Sequence, residues 1–80
     1  MTAMLHGYRR VDMTDDRNRS VRGFSCFFGY PSNGVVGQEV TKVFLSDDLV
    51  GPDFDPLVDV EYDLQFTPRG KISAVRMIDV

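Results

Sequence analysis

The sequence predicts an all-β protein, a small antiparallel barrel of five strands with a long connection between strands 3 and 4. Residues 58–66 alternate strictly between apolar and polar side chains, a pattern typical of a strand with one buried face. Turn-forming residues, Asn33-Gly34 and Pro68 with Gly70, separate short segments rich in β-branched and aromatic side chains. Because no long segment has helical periodicity, we expect little helix.

Length and composition indicate one globular domain over residues 1–80. The chain is 42% hydrophobic and 26% charged, as in ordinary folded domains. No apolar run approaches the roughly 18 residues that span a bilayer, and the first residues lack the pattern of a signal peptide. A single cysteine, Cys26, excludes a disulfide within the chain and is typical of a reducing compartment. We therefore expect a cytoplasmic protein that does not bind membranes.

The first three strands form a predicted meander. Residues 4–13 are the first strand, the polar segment 14–20 is a turn, and residues 20–30 are the second strand. In that second strand the glycines at 23 and 29 indicate bends or a close approach of another group. Asn33-Gly34 predicts a hairpin that leads into a third strand over residues 38–46.

The remaining chain predicts a linker and a final hairpin. Residues 47–56 form the one long irregular segment, with room for a short helical turn. Pro68 and Gly70 suit a type I turn followed by a left-handed residue, which joins the strand at 58–66 to a partner at 71–80. Alternation breaks at Ala74-Val75, which predicts a bulge or burial of both faces. Closure into a barrel would remove exposed edges, and the long third connection favours an OB-like form.

Charge is distributed unevenly along a chain whose net charge is -3. Residues 1–22 hold five arginines and three aspartates, and residues 67–80 also carry a net positive charge. Residues 46–66 hold no base and seven acids: Asp47, Asp48, Asp53, Asp55, Asp59, Glu61 and Asp63. This asymmetry bears on the partners of the protein rather than on its fold.

The sequence gives little support for a metal site or for nucleophilic catalysis. We expect Cys26 to be a buried, inert thiol among apolar neighbours and His6, the only histidine, to lie on a strand surface. The acidic linker lacks the ligand spacing of an EF-hand loop, and no carboxylate pair has the apolar surroundings that would perturb its acidity. The sequence therefore predicts no catalytic residue, metal, cofactor or small-molecule substrate, and no enzyme.

Basic residues interleaved with aromatics are the one constellation that suggests a ligand. Closure of a barrel would bring both chain ends together, and stacking platforms beside cations hold single strands without sequence readout. The predicted nucleic-acid-binding residues are Tyr8, Arg9, Arg10, Arg22, Tyr30, Arg69 and Lys71. The alternating acids at 59, 61 and 63 are then interpreted as the opposite, non-binding face. The alternative is a protein-interaction module that uses residues 47–63 to bind a basic partner or to imitate nucleic acid.

Most of the chain resembles a known family. The strand order, the central segment FFGYPSNGVVGQEVTKVFLS and the closing segment YDLQFTPRGKISAVRMI are similar to those of the small helix-destabilising single-stranded DNA-binding proteins of filamentous phages and mobile elements. The resemblance implies an OB-like homodimer that binds single-stranded DNA, or RNA, without sequence specificity. It also implies a role in replication of a phage, plasmid or conjugative element.

Overall fold

A computed structural model describes residues 1–78 and shows five antiparallel strands in one sheet, in the order β3-β2-β1-β4-β5. The predicted all-β class and low helix content are confirmed. The elements are β1 (Thr2–Thr14), β2 (Ser20–Tyr30), β3 (Glu39–Ser46), α1 (Asp47–Val50), β4 (Glu61–Phe66) and β5 (Ile72–Met77). The short helix is the helical turn expected in the linker, and its N-cap Ser46 accepts a hydrogen bond from the Leu49 amide.

The two connections of the meander differ in length. Asp15 organises the first turn, because one of its carboxylate oxygens accepts hydrogen bonds from the Arg17 and Arg19 amides at 2.9 and 2.8 Å. The second connection is a hairpin as predicted, but its loop covers residues 31–38, since Tyr30 is paired with Glu39. The left-handed conformations in this loop belong to Gly34 and Gly37, so the Asn-Gly pair does not form a two-residue turn.

The final hairpin also departs from the sequence-based prediction at two points. β4 begins at Glu61 instead of residue 58, because Asp59 adopts a left-handed conformation with φ 66° that ends regular pairing upstream. The bulge in β5 lies at Ser73, where Gln65 pairs with Ala74 and Phe66 pairs with Ile72, and not at Ala74-Val75. The last two residues of the predicted strand, 79 and 80, lie outside the described residues.

One face of the sheet, which we call the inner face, carries the hydrophobic core. Residues that pair across neighbouring strands point to the same face of the sheet. The inner face is defined by two such pairs, Leu5 with Phe28 and Cys26 with Val43. The buried core consists of Ala3, Leu5, Cys26, Phe28, Val43, Leu45, Tyr62 and Leu64. Leu49, Val50 and Phe54 from the long connection pack against this core and cover the inner face. On the opposite, outer face, Gln38 of the 31–38 loop lies beside Gly29.

The sheet does not close into a barrel in the described part of the chain. Its order places β3 and β5 at the two edges, and closure would require a ladder between them. The sheet curls enough for β5 to approach both α1 and β3, but no β3–β5 pairing is present among residues 1–78. The structure is therefore an open, curled five-stranded sheet.

Candidate nucleic-acid interface

Most of the residues predicted to bind nucleic acid lie on the inner face and already have partners. The Arg10 guanidinium donates two hydrogen bonds to the Asp47 carboxylate at 2.6 and 2.8 Å and lies 4.9 Å from the centroid of the Phe24 ring. The hydrogen-bonded pair raises the pKa of Arg10 and lowers the pKa of Asp47. Arg10 thus connects β1 to α1 by a salt bridge at the edge of the core.

The other inner-face candidates are engaged in the same way. Arg22 Nε donates to Asp12 at 3.2 Å, on the distal part of the β1–β2 hairpin. The Tyr30 hydroxyl donates to Glu39 at 2.5 Å, and this hydrogen bond raises the pKa of Tyr30. The Tyr8 ring packs edge-on against the Phe24 ring, with centroids 5.8 Å apart. These contacts are made within the chain and do not form an open basic track.

Arg69 and Lys71 lie at the far end of the molecule from the arginines of the first hairpin. β4 runs antiparallel to β1, and the Leu64 amide donates to the Met1 carbonyl, so the turn at 67–71 lies beyond the start of β1. The turn at 15–19 lies beyond its end, and a strand rises about 3.3 Å per residue. The structure therefore does not bring the seven predicted side chains into one groove.

The outer face of β1–β3 carries a different group of aromatic and basic side chains. The register places Gly7, Phe27 and Lys42 in one cross-strand row. The next row contains Arg9, Ser25 and Phe44. Each row thus contributes one phenylalanine and one cation, and diagonal neighbours on a sheet lie about 7–8 Å apart. We call Arg9, Phe27, Lys42 and Phe44 the outer platform.

The two phenylalanines of the outer platform are exposed to solvent. Phe27 on β2 is 36% accessible and Phe44 on the edge strand β3 is 38% accessible. Phe44 lies over the neighbouring strand, because a Cβ atom added at Gly23 would come within 2.8 Å of its ring. The close approach predicted for this glycine is confirmed, and it involves the backbone of β3 at Leu45 and Ser46 as well as the Phe44 ring.

Charge on the outer face of β1–β3 is entirely positive. The two acids of these strands that lie outside the turns, Asp12 and Glu39, pair with inner-face residues. Arg9 and Lys42 are exposed and make no ion pair or side-chain hydrogen bond within residues 1–78. A chain with net charge -3 therefore presents a local cationic surface, formed by Arg9 on β1 and Lys42 on β3.

The acids of β4 lie beside this surface, on the face opposite to the inner-face candidates Arg10, Arg22 and Tyr30. Glu61 pairs with Met4 and Asp63 with Thr2, which places both acids on the outer face, one strand away from Arg9. Asp63 is partly neutralised by the amino terminus at 3.4 Å and by Arg76 at 4.0 Å. The outer face is thus divided into a basic, aromatic part on β1–β3 and an acidic part on β4.

Sequence reasoning missed Phe27, Lys42 and Phe44, although their parity was readable. Phe27 lies between Cys26 and Phe28 in the sequence, and Phe44 lies between Val43 and Leu45. All four of these neighbours are buried on the inner face. The period-2 rule assigns such residues to the opposite face of the strand. Arg9 is the one residue predicted from the sequence that lies in the outer platform.

Comparisons with protein-family models, curated proteins and solved structures found no match to this chain. The resemblance to phage single-stranded DNA-binding proteins therefore stays a prediction. No helix within residues 1–78 has the length and apolar character needed to cross a bilayer.

Proposed function

We propose that the protein binds single-stranded nucleic acid, without sequence specificity, on the outer platform. The observation that supports this proposal is the juxtaposition of two exposed phenylalanine rings with two unpaired cations on adjacent strands. Phe27 and Phe44 would stack on bases, while Arg9 and Lys42 would contact phosphates. Aromatic stacking beside a cationic track is the general means by which proteins hold single strands.

The fold supports the same assignment. OB-folds use the face of strands 2 and 3 to bind oligonucleotides, and Phe27 and Phe44 lie on β2 and β3 of this sheet. We propose that the architecture is OB-like, because the strand order leaves only the β3–β5 ladder to be formed for closure. A role in replication of a mobile element, and assembly as a homodimer, remain part of this proposal and rest on the sequence resemblance.

Substitution of the two rings tests the stacking contribution. Each stacked base contributes about 1–3 kcal/mol, so Phe27→Ala and Phe44→Ala should each weaken binding of a short fluorescent oligothymidylate about 5- to 150-fold. Phe66→Ala is the matched control, since Phe66 is 40% exposed but lies on β4, on the inner face and away from the platform. Equal losses in all three variants would contradict the assignment of the outer platform.

Substitution of the two cations tests the phosphate contacts. The logarithm of the binding constant should fall with the logarithm of the salt concentration, with a slope of about 0.7 per neutralised phosphate on single strands. Arg9→Ala and Lys42→Ala should each reduce that slope by about this amount. If Arg69→Ala or Lys71→Ala reduces the salt slope and Arg9→Ala does not, the interface lies at the final turn and the outer platform is rejected.

The same variants discriminate between this function and a protein interface. Exposed apolar rings also occur where proteins associate. If Phe27→Ala and Phe44→Ala convert a dimer into a monomer while oligonucleotide binding is undetectable in every variant, the face is a protein-contact surface. The acidic-segment alternative makes a different prediction. The protein should then bind no oligonucleotide but capture a basic protein, and the double variant Asp53→Asn/Asp55→Asn should lose that capture.

A further inference from the structure

We propose that Ser25 forms a base-recognition subsite at the centre of the outer platform, where its hydroxyl hydrogen-bonds to the edge of a stacked nucleobase. This inference rests on the proposed function and deepens it. It assigns a role to a polar residue in the row between Arg9 and Phe44, and it predicts that the bases, and not only the phosphates, of the ligand contribute polar contacts.

The first step of the argument is the burial of Ser25. Only 7% of this residue is exposed, although it lies on the outer face, opposite to the side on which the long connection packs. Its neighbours along β2 on the same face are Gly23, which has no side chain, and Phe27. Its cross-strand neighbours are Arg9 and Phe44. The platform side chains themselves therefore cover the hydroxyl.

The second step is the hydrogen bonding of that hydroxyl. Ser25 Oγ is the one buried side-chain oxygen or nitrogen in the described part of the chain that has no hydrogen-bond partner there. A buried polar group without a partner costs about 1–3 kcal/mol, and such groups are few in native proteins. An alanine would fill the same space without this cost, so the hydroxyl is unfavourable for the free protein.

The third step concerns the ligand that can satisfy the hydroxyl. A serine hydroxyl both donates and accepts, which matches the carbonyl, imino and amino groups on the edges of nucleobases. These polar groups lie in the plane of the base. When a base stacks on Phe27 or Phe44, its edge therefore lies beside the row that contains Ser25. The covering groups are the exposed side chains of the platform, so rotation of the Phe44 or Arg9 side chain exposes the hydroxyl without movement of the backbone.

The experiment compares two probes with the wild type and Ser25→Ala. One probe is a short fluorescent oligothymidylate, and the other is an abasic deoxyribose-phosphate oligomer of the same length. We expect Ser25→Ala to weaken oligothymidylate binding about five- to tenfold, as expected for one neutral hydrogen bond, and to leave abasic binding unchanged. The melting temperature of the variant should be equal to or higher than that of the wild type, because the unsatisfied hydroxyl is removed.

Three outcomes overturn the proposal. Unchanged oligothymidylate binding by Ser25→Ala, with Phe27→Ala still weakened, rejects the subsite and leaves the proposed function intact. Equal weakening with both probes shows that Ser25 contacts the backbone of the ligand and not a base. A wild type that binds neither probe rejects the subsite together with the proposed function.

Discussion

Cys26 lies at the centre of the core, and its burial controls its chemistry. The residue has no exposed surface, and burial raises the pKa of its thiol to about 11. Since the thiolate is the reactive form of cysteine, this thiol is inert at neutral pH while the protein is folded. The burial predicted from the apolar parity of Cys26, Phe24 and Phe28 is confirmed.

The raised pKa of Cys26 predicts a loss of stability in alkali. In the unfolded chain the thiol ionises near pH 9, so between about pH 9 and 11 the unfolded state releases a proton that the folded state retains. The free energy of unfolding should therefore fall over this range, by up to about 3 kcal/mol. Urea unfolding at about pH 8 and about pH 10.5 measures this loss.

Cys26→Ala is the control for that measurement, because tyrosines and lysines also titrate in this range. The variant should show a smaller decrease in stability between the two pH values, whatever its absolute stability. Identical pH dependence in the wild type and the variant would show that the thiol ionises equally in the folded and unfolded states.

At the scale of single elements, glycines on two neighbouring strands have opposite surroundings. A Cβ atom at Gly23 would lie 2.8 Å from both the Phe44 ring and the Ser46 Cα atom, and the backbone of β3 cannot yield as a flexible side chain can. A Cβ atom at Gly7 on β1 would have no heavy atom within 4 Å. The difference arises because the β3 backbone at Leu45 and Ser46 and the Phe44 ring approach Gly23 closely.

Alanine substitution of these glycines should therefore have opposite consequences. Gly23→Ala should reduce the free energy of unfolding by about 1–3 kcal/mol, as overpacking generally does. Gly7→Ala should leave it unchanged or increase it by up to about 1 kcal/mol, because alanine restricts the unfolded chain. Urea unfolding of both variants checks the pair, and a Gly23→Ala protein as stable as the wild type would contradict the close approach of β3 and the Phe44 ring to Gly23.

The sequence predicted elements better than it predicted their junctions. Alternation identifies a strand because one face is buried, and Tyr62 and Leu64 are buried as their parity requires. The left-handed Asp59 and the bulge at Ser73 depend on how the connection and the final hairpin meet β1, which no local pattern records. The loop at 31–38 contains an Asn-Gly pair, but the pairing of Tyr30 with Glu39 determines its length.

The candidate site was less predictable than the fold for a related reason. Positive charge at both chain ends suggested a common groove, but salt bridges and strand direction are tertiary properties. Arg10 and Arg22 face aspartates that lie 37 and 10 residues away in the chain, and antiparallel pairing separates Arg69 from them. The parity of Phe27 and Phe44 is readable in the sequence, but their position beside Lys42 and Arg9 depends on the register between strands.

At the scale of the whole molecule, the unclosed sheet determines where the backbone is accessible. β2 lies between β1 and β3, so its amides pair on both sides, whereas β3 and β5 are edges. An edge strand leaves alternate backbone groups without partners. The curl of the sheet brings the two edges near each other. An open sheet and a barrel therefore differ in whether the backbones of β3 and β5 are joined by hydrogen bonds.

Native-state hydrogen exchange measured by NMR answers that question. We expect the amides of residues 24–29 in β2 to be protected to the level of global unfolding, because they lie in the interior of the sheet. Alternate amides of Glu39–Ser46 and Ile72–Met77 should exchange much faster, because the edge positions face solvent. Full protection along both edges would show that a β3–β5 ladder closes the barrel, provided that dilution leaves the protection unchanged. Protection that disappears on dilution would instead mean that a second copy pairs with an edge, and in that case the open sheet of the single chain is retained.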